Sequence, residues 1–450
     1  MKNNIIKSLE NKVVAILGFG VEGKSTYNYI RKYLPNQKLY ILDGNENIIK
    51  DNPELLNDYV EVIAGSNYLN NLELFDLIIK SPGIVLNDAH KYINKITSQM
   101  SLVLEETDTF MIGITGTKGK STTASLIYEV LKDQGVDAIL AGNIGLPILD
   151  YVDDIKENTI VVTEFSSYQL EYLRKSPRIG IVLNLYEEHL DHHGSLENYY
   201  NSKLNMFKYQ TSEDYALYFK DNETLNNFVM QNNYSSKLLS VSFKGDAYIY
   251  CDYQNIYSEA NKLYDVNSNR NLIGMHNVGN IMFAYAIAKL LNLDILKVEE
   301  TVNNFKPLKH RLECIGEFEG ITFYDDAIAT IPEAAIHAID AIGNIDTLIF
   351  GGMDRGINYD DFAKDLLKTN VRNFICLPDT GNKIATELNT LKENEEVFVV
   401  EEMAEAVELA FKVTQKGMGC LLSPAAPSYN KYKNFAAKGE DFTKLVEKHK

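Results

Sequence analysis

The chain is poor in cysteine and in positive charge, and it has no long apolar run. Its 450 residues include four cysteines, Cys251, Cys314, Cys376 and Cys420, far apart and without CxxC spacing. That excludes a disulfide framework and the usual structural zinc sites, and leaves core thiols of a reducing compartment. Lysine and arginine total 44 against 62 acidic residues, a net charge of −18. Such a balance excludes a nucleic-acid partner. An anionic substrate must then meet local positive groups, not a basic surface. No stretch approaches a membrane span, and the N-terminus lacks the small-residue cleavage site of a secretory leader, so a cytoplasmic protein without membrane attachment is expected. The length exceeds what one core usually holds and implies two or three domains.

What is present is glycine at strand ends. The stretch MIGITGTKGKSTT, Met111 to Thr123, runs from an apolar strand through glycines into a helix. Gly116 and Gly119 can hold the positive φ of a tight loop and let N–H groups close on an anion, while the helix start adds its dipole. This describes a phosphate cradle for ATP, with Thr117, Lys118 and Thr122 in the same run. Lys120 would reach the β- and γ-phosphates, and Ser121 would ligate the accompanying magnesium. The strict P-loop pattern is not met, because Gly113 falls one residue early and Ile114 holds the expected glycine position.

Upstream, Gly18-x-Gly20-x-x-Gly23 lies between a buried strand and a helix, and the next strand, KLYILD, ends at Asp43. This is the arrangement of a dinucleotide fingerprint, which predicts a nucleotide site without saying which nucleotide. A further strand, FDLIIKSPGI, returns Ser81, Pro82 and Gly83 to the same sheet edge.

Downstream, AGNIGLP presents Asn143, and TIVVTEFSSYQLE delivers Glu164 beside the cradle, where a carboxylate can hold magnesium. RIGIVLNLYEEHLDHHGS then opens into a loop bearing Glu187, Glu188, His189, Asp191, His192 and His193. Its spacing fits no structural zinc signature, so one imidazole ligand is expected, and His192 and His193 read as ordinary loop residues. Lys203 follows on a helix, where an ammonium could simply neutralise phosphate. From Tyr209 to Arg270 short alternating runs predict an antiparallel flap. The helix after Gly274 carries Asn277 and Asn280 on one side near its start, as caps or as adenine contacts. From Pro307, alternating strands and helices predict another open α/β sheet, with His310, Arg311, Asp325, Asp326, the Gly351–Gly356 loop and Ser428 at its loops.

Taken in order, TGTKGKST, EFSS, EEHLDHHGS, the HN and HR pairs and LLSPAAPSYNKYKNFAAKGEDF resemble the Mur ligase family nearly end to end. The resemblance implies an α/β protein of three domains: an N-terminal Rossmann-like UDP-substrate domain (1–105), a central P-loop-type ATPase domain with a small antiparallel sheet (106–308), and a C-terminal Rossmann-like amino-acid domain (309–450). It implies a monomeric, ATP- and magnesium-dependent ligase whose partners are small molecules: UDP-N-acetylmuramoyl-L-alanine, glutamate and ATP. Gly18, Val21, Glu22, Asp43, Ser81, Gly83, Asn143, Ser166 and His189 would meet the UDP substrate. Asn277, Asn280, Arg311 and Asp326 would join the cradle in holding ATP. Lys120, Glu164, His189 and Lys203 would be catalytic, and the metal would be held by Ser121, Glu164, His189 and a carbamate on Lys203. Thr330, Arg355, Ser428 and Phe435 would hold glutamate. The resemblance favours D-glutamate. Ile328 and Pro427 replace familiar pocket residues, which keeps an L-glutamate branch open, and a folate-type polyglutamate ligase is a more distant alternative.

Overall fold

The computed structural model describes residues 2–86, 89–354, 359–392 and 395–449. The first sheet is built from β1 (Val14–Leu17), β2 (Leu39–Asp43), β3 (Val60–Ala64), β4 (Leu77–Lys80) and β5 (Ile96–Thr97), in the order β3-β2-β1-β4-β5. All its pairings are parallel. The whole of β1, VAIL, is buried, as expected of a parallel strand covered on both faces. Strand order reverses at β1, so a crevice forms at the carboxyl ends of β1 and β4, the place where open α/β sheets bind ligands.

The second sheet contains β6 (Phe110–Thr115), β7 (Ala138–Gly142), β8 (Ile160–Glu164), β9 (Ile179–Val182), β10 (Tyr215–Phe219), β11 (Lys237–Ser242), β12 (Ile249–Cys251), β13 (Asn255–Ser258) and β14 (Asn261–Asp265). Its order is β14-β13-β12-β11-β10-β9-β6-β8-β7. The segment from Tyr209 to Arg270 is only in part the antiparallel flap that its alternation predicts. Strands β10 and β11, joined through the helix Glu223–Gln231, extend the parallel sheet as far as β12, and among the described strands of this sheet antiparallel pairing is confined to β12 with β13 and β13 with β14. Alternation records one covered face and not the direction of the neighbouring strand, so the pattern could not separate the two.

One apolar core, which includes Ile5, Val103, Met111, Ile148, Phe207 and Val229, runs through the first two sheets. The chain accordingly divides into two compact units: Met1–Arg270 with His276–Phe305, and Asn271–Met275 with Lys306–Lys450. The second unit holds β15 (Glu313–Phe318), β16 (Ile321–Asp325), β17 (Ile345–Phe350), β18 (Asn373–Cys376), β19 (Glu396–Val399) and β20 (Gly419–Leu422), in the order β15-β16-β20-β17-β18-β19. Only β15 is antiparallel to its neighbour. Separate apolar clusters, around Phe350 and Phe374 and around Phe323 and Phe442, pack this sheet. Among the described residues no helix is long and apolar enough to cross a membrane.

Candidate active site

The loop after β6 is held open by its two glycines. Gly116 and Gly119 have φ of 154° and 85°. A Cβ on Gly119 would stand 2.7 Å from Asn280 Oδ1, and one on Gly116 would stand 2.9 Å from Leu183 Cβ. Lys120 opens the helix Lys120–Asp133, and its ammonium folds back to donate to the carbonyls of Gly116 (3.0 Å) and Thr117 (2.9 Å). Ser121 is half-buried and Thr122 buried in the first turn.

Asn184, which sequence reading missed, clamps this loop from the end of β9. Its carbonyl accepts from Thr117 N at 3.0 Å, its Oδ1 accepts from Lys118 N at 2.8 Å, and its Nδ2 donates to the Lys118 carbonyl at 3.0 Å. The Lys118 ammonium pairs with Glu188 at 2.6 Å. Asn277 and Asn280 are both buried. Asn280 Oδ1 accepts from Thr123 Oγ1 at 3.1 Å, and its Nδ2 donates to Asn277 Oδ1 at 3.0 Å. These amides therefore brace the helix that follows the loop.

Glu164 ends β8, in register with Ile114 of β6, and is buried. Asn143 Nδ2 donates to its Oε1 at 2.8 Å, while its Oε2 is buried with no hydrogen-bond partner among the described residues. A buried carboxylate oxygen without a donor costs of order 1–3 kcal/mol or more, and a hard cation is the natural group to satisfy it. The residues present thus fit a magnesium site.

Lys203, in the helix Leu196–Lys208, is buried and donates from Nζ to the Gly116 carbonyl at 2.8 Å, 4.9 Å from the Tyr199 ring centre. Two lysine amines therefore converge on one carbonyl oxygen. Burial, and then the Lys120 charge, push the Lys203 amine well below the ordinary lysine range, against the opposing pull of Glu188 and Glu164. A plain phosphate-neutralising ammonium does not suit that place.

His189 takes a left-handed φ of 56°, with Nδ1 2.9 Å from the Tyr168 hydroxyl and Nε2 3.6 Å from Glu188. His193 is not an ordinary loop residue. It is buried, its Nε2 lies 3.0 Å from Ser167 Oγ, and burial followed by the neighbouring His192 and His189 pushes it down to about 4. His192 Nε2 meets Glu171 at 3.2 Å, and the Tyr168 ring packs against all three imidazoles. Glu171, His192 and His193 bring ligand-type atoms close together, as do His310, Glu313 and Asp325. In the second of these groups, His310 Nδ1 bonds Asp325 at 2.7 Å and its backbone N–H donates to Glu313 at 2.8 Å.

At the first sheet's crevice, Gly18 has φ 87° and Ser81 Oγ donates to its carbonyl at 2.8 Å. Asp43 accepts from the N–H of Phe19 at 2.7 Å and of Asn45 at 2.8 Å, so the acid expected to meet the UDP substrate also builds the glycine loop. A Cβ on Gly23 would lie 2.1 Å from the Gly18 carbonyl oxygen, which explains the third glycine. Val21 is 75% exposed, and Gly83 is exposed. Glu22 accepts from Gln169 Nε2 at 2.7 Å, with its carboxyl raised by burial. Ser166 caps the helix Ser167–Leu170 in a box with Gln169.

In the second unit, Asp326 is buried and accepts from Ser423 Oγ at 3.0 Å and Leu312 N at 3.2 Å. Burial pushes its carboxyl up to about 7, against the opposing pull of the Ser423 and Leu312 hydrogen bonds and then of the Arg311 charge. A carboxyl raised on folding contributes stability below its unfolded range, near 4, that is lost as pH rises through about 7. Asp326→Asn should therefore raise the melting temperature of this unit at about pH 8, and the gain should vanish near pH 4 in thermal scans. Ser428 Oγ is buried without a partner among the described residues. Thr330 is half-buried ahead of the helix Pro332–Ile342, and Phe435 opens the helix Phe435–Glu447 with its ring 6.4 Å from His310. Arg355 lies outside the described residues.

Comparison with known proteins matches residues 114–288 to the Mur ligase middle domain and residues 310–426 to the Mur ligase, glutamate ligase domain. The chain is 31% identical to a UDP-N-acetylmuramoylalanine--D-glutamate ligase of Clostridium botulinum (strain Langeland / NCTC 10281 / Type F) over 463 aligned residues, covering 100% of both proteins. It is 33% identical to the protein of the same name from Caldanaerobacter subterraneus subsp. tengcongensis, over 97% of this chain and 98% of that one. Among solved structures, UDP-N-acetylmuramate-alanine ligase MurC from Thermotoga maritima superposes with a TM-score of 0.61 at 17% identity, over 98% of this chain and all of that one. MurF ligase from Thermotoga maritima in complex with ADP gives 0.59 at 16% identity, over the full length of both. These two likenesses carry the fold alone. Together, the matched domains and the full-length relatives show that the chain belongs to the Mur ligase family.

Proposed function

We propose that the chain joins D-glutamate to UDP-N-acetylmuramoyl-L-alanine with cleavage of ATP to ADP and phosphate, a cytoplasmic step in peptidoglycan precursor synthesis. The observation that carries the chemistry is the buried, unpartnered oxygen of Glu164 on the strand beside the Gly116–Lys120 loop. The full-length relatives named for D-glutamate favour this acceptor and this enantiomer. In this reading residues 1–105 serve the UDP substrate, 106–308 ATP, and 309–450 the amino acid.

A carboxylate does not acylate an amine unaided. The alanyl carboxylate attacks the γ-phosphorus, ADP departs, and the glutamate amine then adds to the acyl phosphate carbon before phosphate leaves. Lys120 offsets charge on the migrating phosphoryl group, and the loop N–H groups orient it. Magnesium, held by Glu164, Ser121, His189 and a carbamate on Lys203, would neutralise phosphate charge. The carbamate forms when the neutral Lys203 amine adds to carbon dioxide and loses a proton. Its burial beside Lys120 favours an anion there over a second cation. Tyr168 orients His189 through the Nδ1 bond. Thr330, Ser428, Phe435 and Arg355 hold glutamate, and the unpartnered Ser428 hydroxyl supports that role.

A site that anchors the side-chain carboxylate and both α-substituents should discriminate enantiomers by about a hundredfold or more in kcat/KM. Phosphate release from ATP in the presence of UDP-N-acetylmuramoyl-L-alanine, titrated with each glutamate enantiomer, tests this. A preference for L-glutamate would refute the D assignment and favour the branch to which Ile328 and Pro427 also point.

A further inference from the structure

Lys80 is the last residue of β4, at the point where the first sheet reverses its strand order, and it is 3% exposed. Its amine has two long bonds, to the carbonyls of Ser81 (3.4 Å) and Pro82 (3.2 Å), and the Tyr172 ring centre lies 5.4 Å away. No described carboxylate forms an ion pair with it. Two stretched neutral bonds, with the more distant Glu171 and Glu22 carboxylates, offset the burial of this amine only in part, and an anion entering the crevice would complete its charge.

The anion that reaches this place is constrained by the surrounding charge. Across the crevice the glycine loop enters the helix Val21–Tyr33, whose first turn carries the Glu22 carboxylate, tied down by Gln169. That negative group opposes the attraction a helix start would otherwise exert on a phosphate. With a net charge of −18 the chain offers no general basic surface in compensation. Lys80, on β4, lies near enough to Glu22 for the two charges to favour one another, and the carbonyls it holds belong to the Ser81–Gly83 loop.

We propose that Lys80 is the cationic contact for the diphosphate of the nucleotide-linked substrate, which it takes up by leaving the Ser81 and Pro82 carbonyls. This deepens the UDP reading of the first sheet and rests on it. A lysine that only pinned the loop would affect every ligand of the crevice alike. A lysine that binds phosphate oxygens acts only on ligands that carry them.

Calorimetric titration of the full chain with UDP and with uridine separates the two. Wild type should prefer UDP. Lys80→Met should weaken UDP about ten- to hundredfold, as expected for a charge-assisted bond, while leaving uridine nearly unchanged. Lys80→Arg should keep most of the preference. Should Lys80→Met fail to fold, Lys80→Gln, which can still donate to the same carbonyls, carries the comparison, with ATP binding as the control for folding. Equal losses for UDP and uridine would overturn the proposal in favour of a loop pin. If wild type binds neither ligand, the UDP reading itself falls and the lysine assignment with it, a result distinct from equal losses in a variant.

Discussion

Lys120→Ala is expected to reduce ATP-driven phosphate release by about a thousandfold or more, the scale of losing a positioned charge at a transition state, while UDP-substrate affinity stays within about threefold. The asymmetry follows from placement. The Lys120 amine donates to the carbonyls of Gly116 and Thr117, at the loop between β6 and its helix. The residues proposed for uridine and diphosphate gather instead around Gly18, Asp43 and Ser81 on the first sheet. Removing the side chain should not collapse the loop, because Asn184 still clamps Thr117 and Lys118 and Lys203 still donates to Gly116. Phosphate release and calorimetric binding of the UDP substrate, measured on one preparation, check both halves. Equal loss of catalysis and of UDP-substrate binding would contradict the division of labour.

The residues that could be read directly from the sequence are those whose role follows from strand-end position. Glu164 and Asp43 terminate buried strands, and the glycines at 18, 23, 116 and 119 stand where a side chain would collide or φ is positive. Residues that act across the fold left no such mark. Asn184 looks like any loop asparagine until β9 is seen to lie beside β6. Tyr168, Gln169 and Tyr199 work through ring packing and bonds to residues 21 to 147 positions away. His193 reads as a loop residue because its burial depends on Ser167 and Tyr168, which lie 26 and 25 positions earlier in the chain and meet it only in the folded structure. The partition into units was hidden for a related reason. Alternation reports which face is covered, not by which element, so nothing in the sequence announced that the first two sheets share one core.

Lys203→Met is expected to lower turnover by about a hundredfold or more while leaving the melting temperature equal to or above that of wild type, and this combination separates chemistry from packing. A buried lysine whose only role was structural would be missed in the stability measurement. Here the amine lies among buried groups beside the Tyr199 ring, and its carbonyl partner, Gly116, keeps a second donor in Lys120. An unbranched apolar side chain of similar length fills the space without leaving that carbonyl orphaned, so the folded state should not suffer. Turnover should suffer, because an uncharged thioether cannot be carbamylated and offers no hard oxygen to a metal beside Glu164. Carbon-13 spectra of wild type prepared with labelled bicarbonate should show a carbamate resonance that is absent in Lys203→Met. Retained turnover in Lys203→Met, or a wild type without the resonance, would refute the carbamate. A fall in both stability and turnover, with no resonance in either protein, would instead identify Lys203 as a packing element of the loop.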